Sequence, residues 1–218
     1  MNILLLGATG SIGDSVLSVI EENHSELNLF GITFHKNINK SQEIIKDFKP
    51  QFAYVEDRST FEDQKDTSDI TFLNGDSSLK ELIEHDDVDV IISAISGFAG
   101  LKATYLAAST GKKILLANKE SIVAGGDLIT ARAKKFNSKI IPIDSEHNAI
   151  FQCLSGQRSP DDVQNITITA SGGPFIGKKI SDLKDVTKDD ALNHPNWDMG
   201  SKISIDSATL VNKCLELI

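Results

Sequence analysis

Cysteine is scarce in this chain: two among 218 residues, Cys153 and Cys214. Two thiols cannot build a disulfide framework, so a reducing, cytoplasmic setting is expected. A cationic surplus is lacking as well. Lys and Arg total 22 against 31 Asp and Glu, a net charge of -9, which leaves no excess of cations to displace the counterions of a nucleic acid. No apolar run approaches the roughly 18 residues of a membrane span, and the opening Met1-Asn2-Ile3-Leu4 has no basic segment of a signal peptide. Zinc spacings of Cys and His, a His-Glu-x-x-His helix and a Walker A loop are all missing. What remains, 40% hydrophobic and 24% charged residues, is the make-up of an ordinary globular protein.

The chain does have a glycine-rich turn in an informative place. Gly7-Ala8-Thr9-Gly10-Ser11-Ile12-Gly13 follows the apolar run Ile3–Leu6 and precedes a helical pattern at Ile12, Val16, Leu17 and Ile20. Strand, tight turn and helix in this order place unpaired backbone N–H groups and the positive end of the helix dipole in front of an anion, so a cofactor pyrophosphate is a natural occupant. An ordinary tight strand-to-helix turn is the competing reading.

Apolar runs then alternate with helical patterns. Strands are expected at 2–6, 27–34, 52–55, 70–73, 88–93, 114–116 and 140–143, and helices at 12–22, 42–48, 79–84, 101–108, 128–136 and 148–154. Such alternation, with strands apolar on both faces, predicts α/β architecture, a doubly wound parallel sheet of Rossmann-like type. Ligands then bind beyond the carboxyl ends of the strands, where Thr9, Lys36, Ser96, Gly97, Asn118, Lys119 and Asp144 fall. From about Ser155 the texture changes. Ser155–Pro160 reads as a loop, Val163–Ser171 alternates like a half-exposed strand, and Gly172–Gly200 reads as a long functional loop with the cluster His194-Pro195-Asn196-Trp197. A strand at 203–205 and a helix from Ala208 complete the expectation, together an α+β catalytic portion. The division is therefore 1–144 for dinucleotide binding and 145–218 for catalysis. The last helix has no polar or glycine C-cap, which suggests truncation.

The second strand ends Phe34-His35-Lys36-Asn37, with a lysine where NAD-specific folds place a carboxylate for the ribose 2′-OH. That favours NADPH over NADH, unless Lys36 is only a solvated loop residue. Asp144-Ser145-Glu146 offers hard oxygen ligands for Mg²⁺ or Mn²⁺. The same residues also suit a helix N-cap and an acidic first turn, and Glu216 taken alone reads as a surface glutamate. His147 beside the acids reads as a ligand, a base or a capping residue. Cys153 and Cys214 read as buried thiols.

The later motifs are more specific. Leu116-Ala117-Asn118-Lys119-Glu120-Ser121, Pro142-Ile143-Asp144-Ser145-Glu146-His147-Asn148, Thr169-Ala170-Ser171-Gly172-Gly173-Pro174-Phe175, His194-Pro195-Asn196-Trp197-Asp198-Met199-Gly200 and the run from Lys202 to Lys213 occur in order. Together they resemble the 1-deoxy-D-xylulose 5-phosphate reductoisomerase family over essentially the whole chain. The resemblance implies NADPH- and divalent-metal-dependent isomerisation and reduction of a phosphorylated ketose, 1-deoxy-D-xylulose 5-phosphate, to 2-C-methyl-D-erythritol 4-phosphate in non-mevalonate isoprenoid biosynthesis. It implies that Thr9, Gly10, Ser11, Ile12, Lys36, Asn37, Asn118, Glu120 and Gly200 bind the cofactor, and that Asp144, Glu146 and Glu216 bind Mg²⁺ or Mn²⁺. Substrate falls to Lys119, Ser145, Glu146, Ser171, His194, Ser207, Asn212, Lys213 and Glu216, with Lys119, Glu146 and His194 catalytic and Trp197 on a closing flap. It further implies a homodimer, no nucleic-acid or membrane partner, and a C-terminal helical domain missing from this chain. A cysteine-dependent NADPH dehydrogenase and an inactive dinucleotide-binding fragment are the competing classes.

Overall fold

The computed structural model describes residues 1–62, 70–156, 159–197 and 199–218, which fall into two compact units, Met1–Asp144 and Ser145–Ile218. Gln157 and Arg158 of the expected loop and Asp198 of the aromatic segment lie outside the described residues.

In the first unit β1 (Asn2–Leu6), β2 (Asn28–Phe34), β3 (Phe52–Val55), β4 (Thr71–Leu73), β5 (Val90–Ser93), β6 (Lys113–Leu116) and β7 (Lys139–Pro142) form one sheet in the order β4-β3-β2-β1-β5-β6-β7. All six pairings are parallel. Helices α1 (Ser11–Glu22), α2 (Ile38–Phe48), α3 (Arg58–Glu62), α4 (Asp76–Glu84), α5 (Gly100–Ala107) and α6 (Lys119–Phe136) belong to the same unit. Side chains alternate across a strand, so β1 feeds two cores. Leu4 and Leu6 join Phe30, Leu82, Ile91 and Ile129 on one face, while Ile3 and Leu5 join Leu17, Ile32, Phe34 and Ile44 on the other. The chain steps outward from β1 to β4, then returns to place β5 on the other side of β1. The order therefore reverses between β1 and β5, where a parallel sheet opens a crevice at its carboxyl ends.

In this unit the seven expected strands all form, with ends moved by two residues at most. The largest helical difference is α6, which starts nine residues before the expected Leu128. The Gly125-Gly126 pair suggests a break, but the Asn118 side chain caps the helix by accepting from Ser121 N, and the chain absorbs the glycines as a kink at Gly125.

The second unit contains α7 (Ser145–Leu154), short 3-10 turns at Pro160–Asp162 and Ile180–Leu183, α8 (Lys188–Leu192), α9 (Ser201–Ala208) and α10 (Val211–Leu217). Its two expected strands do not form, so its described residues hold no strand. Residues 163–171 alternate in polarity, but a ladder needs a partner strand and none pairs with them among the described residues. Ile203-Ser204-Ile205 lies inside α9 instead; three residues cannot distinguish a period of 2 from one of 3.6. The final helix begins at Val211 rather than Ala208, because Leu210 takes a left-handed conformation, φ 60°, that separates α9 from α10. Cys153 and Cys214, expected in the interior, are exposed free thiols, since α7 buries no residue completely and Cys214 lies on the outer side of α10.

Candidate functional site

The crevice of the first unit is a cleft of about 520 Å³. The turn after β1 supplies Gly7, Thr9 and Gly10, the end of β2 supplies Thr33, Phe34 and His35, and Ala94, Ile95 and Ser96 follow β5. Gly7 has a φ of 86°, and a Cβ on it would lie 2.8 Å from the Ala94 carbonyl oxygen, so only glycine allows the two turns to approach this closely. The Thr33 hydroxyl accepts from Gly7 N at 2.9 Å. Ser11 and Ile12 open α1 behind Gly10, its N-cap, with their backbone at the electropositive helix start.

Lys36, Asn37 and Asn118, among the other expected cofactor residues, hold structural positions in the first unit. Lys36 is largely exposed and lies 3.6 Å from Asp57. Hydrogen bonds from Ser59 and Thr60, with Lys36 nearby, hold the Asp57 carboxyl well below the ordinary carboxylate range. Asn37 caps α2 by accepting from Lys40 N. Asn118 is buried, and its amide donates to the carbonyls of Ile95 at 2.6 Å and Gly97 at 2.9 Å and to Glu120 at 3.1 Å. It thereby ties the β5 turn to the start of α6.

Tyr54, Glu56 and Lys102 also line the cleft and were not expected there. The Tyr54 phenol donates to Glu56 at 2.9 Å, and burial together with that carboxylate pushes its pKa far up. Lys102 pairs with Asp76. Glu56 follows the last residue of β3, so the rule that ligands sit beyond strand ends, applied to every strand, would have found it.

At the end of the first unit, Lys119 donates to Asp144 at 2.6 Å, with both side chains close to nine-tenths buried. In the second unit the expected residues form two groups. Glu146 lies on the first turn of α7, and Asn212, Lys213 and Glu216 lie on α10. The Lys213 ammonium lies 2.5 Å from Glu146 and 2.7 Å from Glu216. Glu216 also accepts from the Asn212 amide at 2.7 Å, and its side chain is fully buried. This is the opposite of the surface glutamate that the residue suggests in isolation. The carboxylate oxygens of Glu146 and Glu216 lie within 4.8 Å of one another. His147 on α7 lies 3.1 Å from the Glu216 carbonyl through Nε2.

The second group is Ser171, His194 and Ser207. Backbone N–H groups of Asn196 and Trp197 both donate to His194 Nδ1, at 3.2 and 3.1 Å. In the neutral ring the proton is therefore on Nε2, which donates to Ser171 Oγ at 3.0 Å. Ser171 Oγ is 3.4 Å from Ser207 Oγ. Gly173, φ 63°, permits this approach, since a Cβ there would lie 3.0 Å from the Ser207 carbonyl oxygen. The Asn212 amide and the Lys213 ammonium, expected to share the substrate phosphate with these serines, are hydrogen-bonded to Glu216. Ser145 is exposed at the start of α7, and Gly200 is the exposed N-cap residue of α9.

Paired carboxylates, one buried and one partly buried, are hard oxygen donors. They suit Mg²⁺ or Mn²⁺ better than a soft metal. The serine hydroxyls and the α1 turn are donors suited to phosphate groups.

Residues 3–126 match the family model described as 1-deoxy-D-xylulose 5-phosphate reductoisomerase, and residues 140–218 match the model of that family's C-terminal domain. The stretch expected to be the catalytic portion thus carries the family's C-terminal name, so a domain of that name is present here. Enzymes named 1-deoxy-D-xylulose 5-phosphate reductoisomerase from Francisella tularensis subsp. novicida and Clostridium botulinum are 49% and 46% identical, over 99% and 100% of this chain and 57% of each relative. The chain thus spans little more than half the length of these relatives. A crystal structure of DOX-P reductoisomerase in complex with NADPH, fosmidomycin and magnesium superposes with a TM-score of 0.92 at 42% identity, covering 100% of this chain and 56% of that one. The Zymomonas mobilis enzyme in complex with NADPH gives 0.85 at 40% identity, over 99% of this chain and 56% of that one.

Proposed function

Because this chain belongs to the 1-deoxy-D-xylulose 5-phosphate reductoisomerase family, we propose that it carries the NADPH-binding and catalytic parts of an enzyme that isomerises and reduces 1-deoxy-D-xylulose 5-phosphate to 2-C-methyl-D-erythritol 4-phosphate. The observation that carries this reading is the carboxylate pair Glu146 and Glu216, one partly and one fully buried, on two helices and gathered around one cationic position. Asp144, two residues ahead of Glu146, is the third ligand of that position. Units 1–144 and 145–218 divide the work between cofactor binding and catalysis. When bound, the divalent ion supplies a Lewis acid for vicinal substrate oxygens, and NADPH supplies the reducing hydride.

The chain's own residues bind, orient and exclude water. Thr9 and Gly10, with the backbone of Ser11 and Ile12, hold the pyrophosphate, and Lys36 and Asn37 receive the adenosine 2′-phosphate. Asn118, Glu120 and Gly200 complete the cofactor contacts. Ser171, Ser207, Asn212 and Lys213 hold the substrate phosphate, far from the reacting carbons, so its binding energy orients the other end. Lys119 and Ser145 contact the hydroxyketone, Lys119 adding positive charge where an oxyanion develops. His194, its tautomer fixed by two backbone donors, presents Nε2–H toward the substrate side through Ser171. The turn it shares with Trp197 closes the site against water. The same family membership supports a cytoplasmic homodimer without nucleic-acid or membrane partners; among the described residues no helix is long and apolar enough to cross a membrane.

Glu146→Gln tests this reading. Turnover, measured as loss of NADPH absorbance with the ketose phosphate, should fall by about a thousandfold or more, the equivalent of several kcal/mol of Lewis-acid stabilisation, while NADPH affinity is unchanged. Turnover that persists in a chelator would instead favour a metal-independent dehydrogenase.

A further inference from the structure

Both lysines assigned to the substrate are engaged by carboxylates assigned to the metal. Lys119 holds Asp144 at 2.6 Å, and Lys213 holds Glu146 at 2.5 Å and Glu216 at 2.7 Å. All these side chains are largely withdrawn from water; the most exposed, Glu146, retains 21% of its surface. Two carboxylates this close and this buried repel each other unless a cation lies between them. In this structure Lys213 is such a cation.

We propose that Lys119 and Lys213 are internal counter-cations that hold the carboxylates in place and are displaced by the divalent ion, so that metal loading releases two ammonium groups for the anionic substrate. The proposal rests on the metal reading above. An ammonium 2.5 Å from a carboxylate oxygen and a dication on the same oxygen compete for one space and repel each other. The lysine stem is flexible enough to swing its head away while its base stays on α10. Once displaced, a partly buried ammonium is costly without a partner, and a phosphate dianion satisfies it. Metal and phosphate then bind cooperatively, each raising the affinity of the other by the same factor. The neutral Asn212 amide is also held by Glu216.

Mn²⁺ binding to the purified protein, followed by paramagnetic resonance of the free ion, tests the displacement. Lys213→Met, which removes the competitor, should bind Mn²⁺ about fivefold tighter or more. Equal or weaker binding would overturn the proposal, since the lysine would then be a mere support. Should Lys213→Met fail to fold, the wild type decides alone. Inorganic phosphate, titrated calorimetrically, should bind about fivefold tighter or more with saturating Mg²⁺ than without it, and equal affinities would overturn the coupling. A wild type that holds no Mn²⁺ sinks the metal reading and this one together. A wild type whose Mn²⁺ is lost on Glu146→Gln, but whose phosphate affinity ignores Mg²⁺, sinks only the displacement.

Discussion

In residues 1–144 the interior is mainly hydrocarbon: Leu4, Leu5, Leu6, Phe30, Ile32, Ile91 and Ile114 are all fully buried, with a minority of hydroxyl and amide groups among them. In residues 145–218 the described buried side chains are Ala191 and three polar ones, His194, Ser204 and Glu216. There the large apolar residues face outward, among them Ile176, Ile180, Trp197 and Leu217. The first unit is held largely by burying apolar area, about 25 cal/mol per Å², and the polar side chains buried within it, among them Ser93, Thr104, Asn118 and Ser121, are hydrogen-bonded to one another or to backbone carbonyls. The second is held largely by hydrogen bonds and ion pairs among groups that also have chemistry to do. One region is thus a scaffold whose site is a surface feature, and the other is a site that provides much of its own scaffold. Buried polar networks stabilise only when fully satisfied, so the second region should be the more easily disturbed.

Core truncation is the strongest way to break this comparison. Leu5→Ala should destabilise the first unit by about 2–5 kcal/mol in urea unfolding, whereas Ile180→Ala, at an exposed position, should change stability by no more than about 0.5 kcal/mol. Equal losses would erase the contrast. The single tryptophan, Trp197, lies in the second unit and makes its unfolding separately visible. Its fluorescence transition should precede the helical circular-dichroism transition, because the two units are held by different means. His194→Ala leaves two N–H groups without their ring acceptor and should advance that early transition by about 1–3 kcal/mol. Coincident transitions in the wild type would show one cooperative unit.

A smaller effect sharpens the functional half of the contrast. Lys36→Asp should lower the preference for NADPH over NADH by about tenfold or more, the worth of one charge-assisted hydrogen bond. Measured dissociation constants for the two cofactors that keep their ratio would assign Lys36 to Asp57 alone. The smallest effect is at the start of α8. Backbone and side-chain hydrogen bonds from Thr187, at 2.8 and 2.7 Å, hold the Asp190 carboxyl below its ordinary value. A carboxyl lowered in the folded state adds stability that is fully present above its unfolded pKa and fades as pH falls through the folded one. Asp190→Asn should therefore lower stability near neutrality and flatten the acid side of the stability curve, as followed by thermal melts from pH 6 downward on the order of three units.

Much of the first unit was legible because parallel strands covered on both faces leave uninterrupted runs such as Val90-Ile91-Ile92, and the helices between them keep their own period. The start of α6 was not, since the chain leaves helical dihedrals at Gly125 and the stretch before it is marked as helix by the Asn118 cap. In the second unit alternation misled, at 163–171 for want of a partner strand and at 203–205 for want of length. The thiols misled for a related reason. Cys153 follows an apolar pattern on α7, but no residue of that helix is fully buried, so the pattern had no core to face.

Residue order by itself determined the strand-to-helix alternation, the glycine turn after β1 and the kinds of side chain available for phosphate and for a hard cation, because these depend on local periodicity and on the chemistry of single residues. Only the tertiary structure decided that Glu216 is buried rather than exposed and that it shares one lysine with Glu146, some 70 positions away in the chain. It likewise decided that His194 Nδ1 accepts from two backbone N–H groups. Those are facts of distance and desolvation, and no local pattern encodes the meeting of α7 with α10.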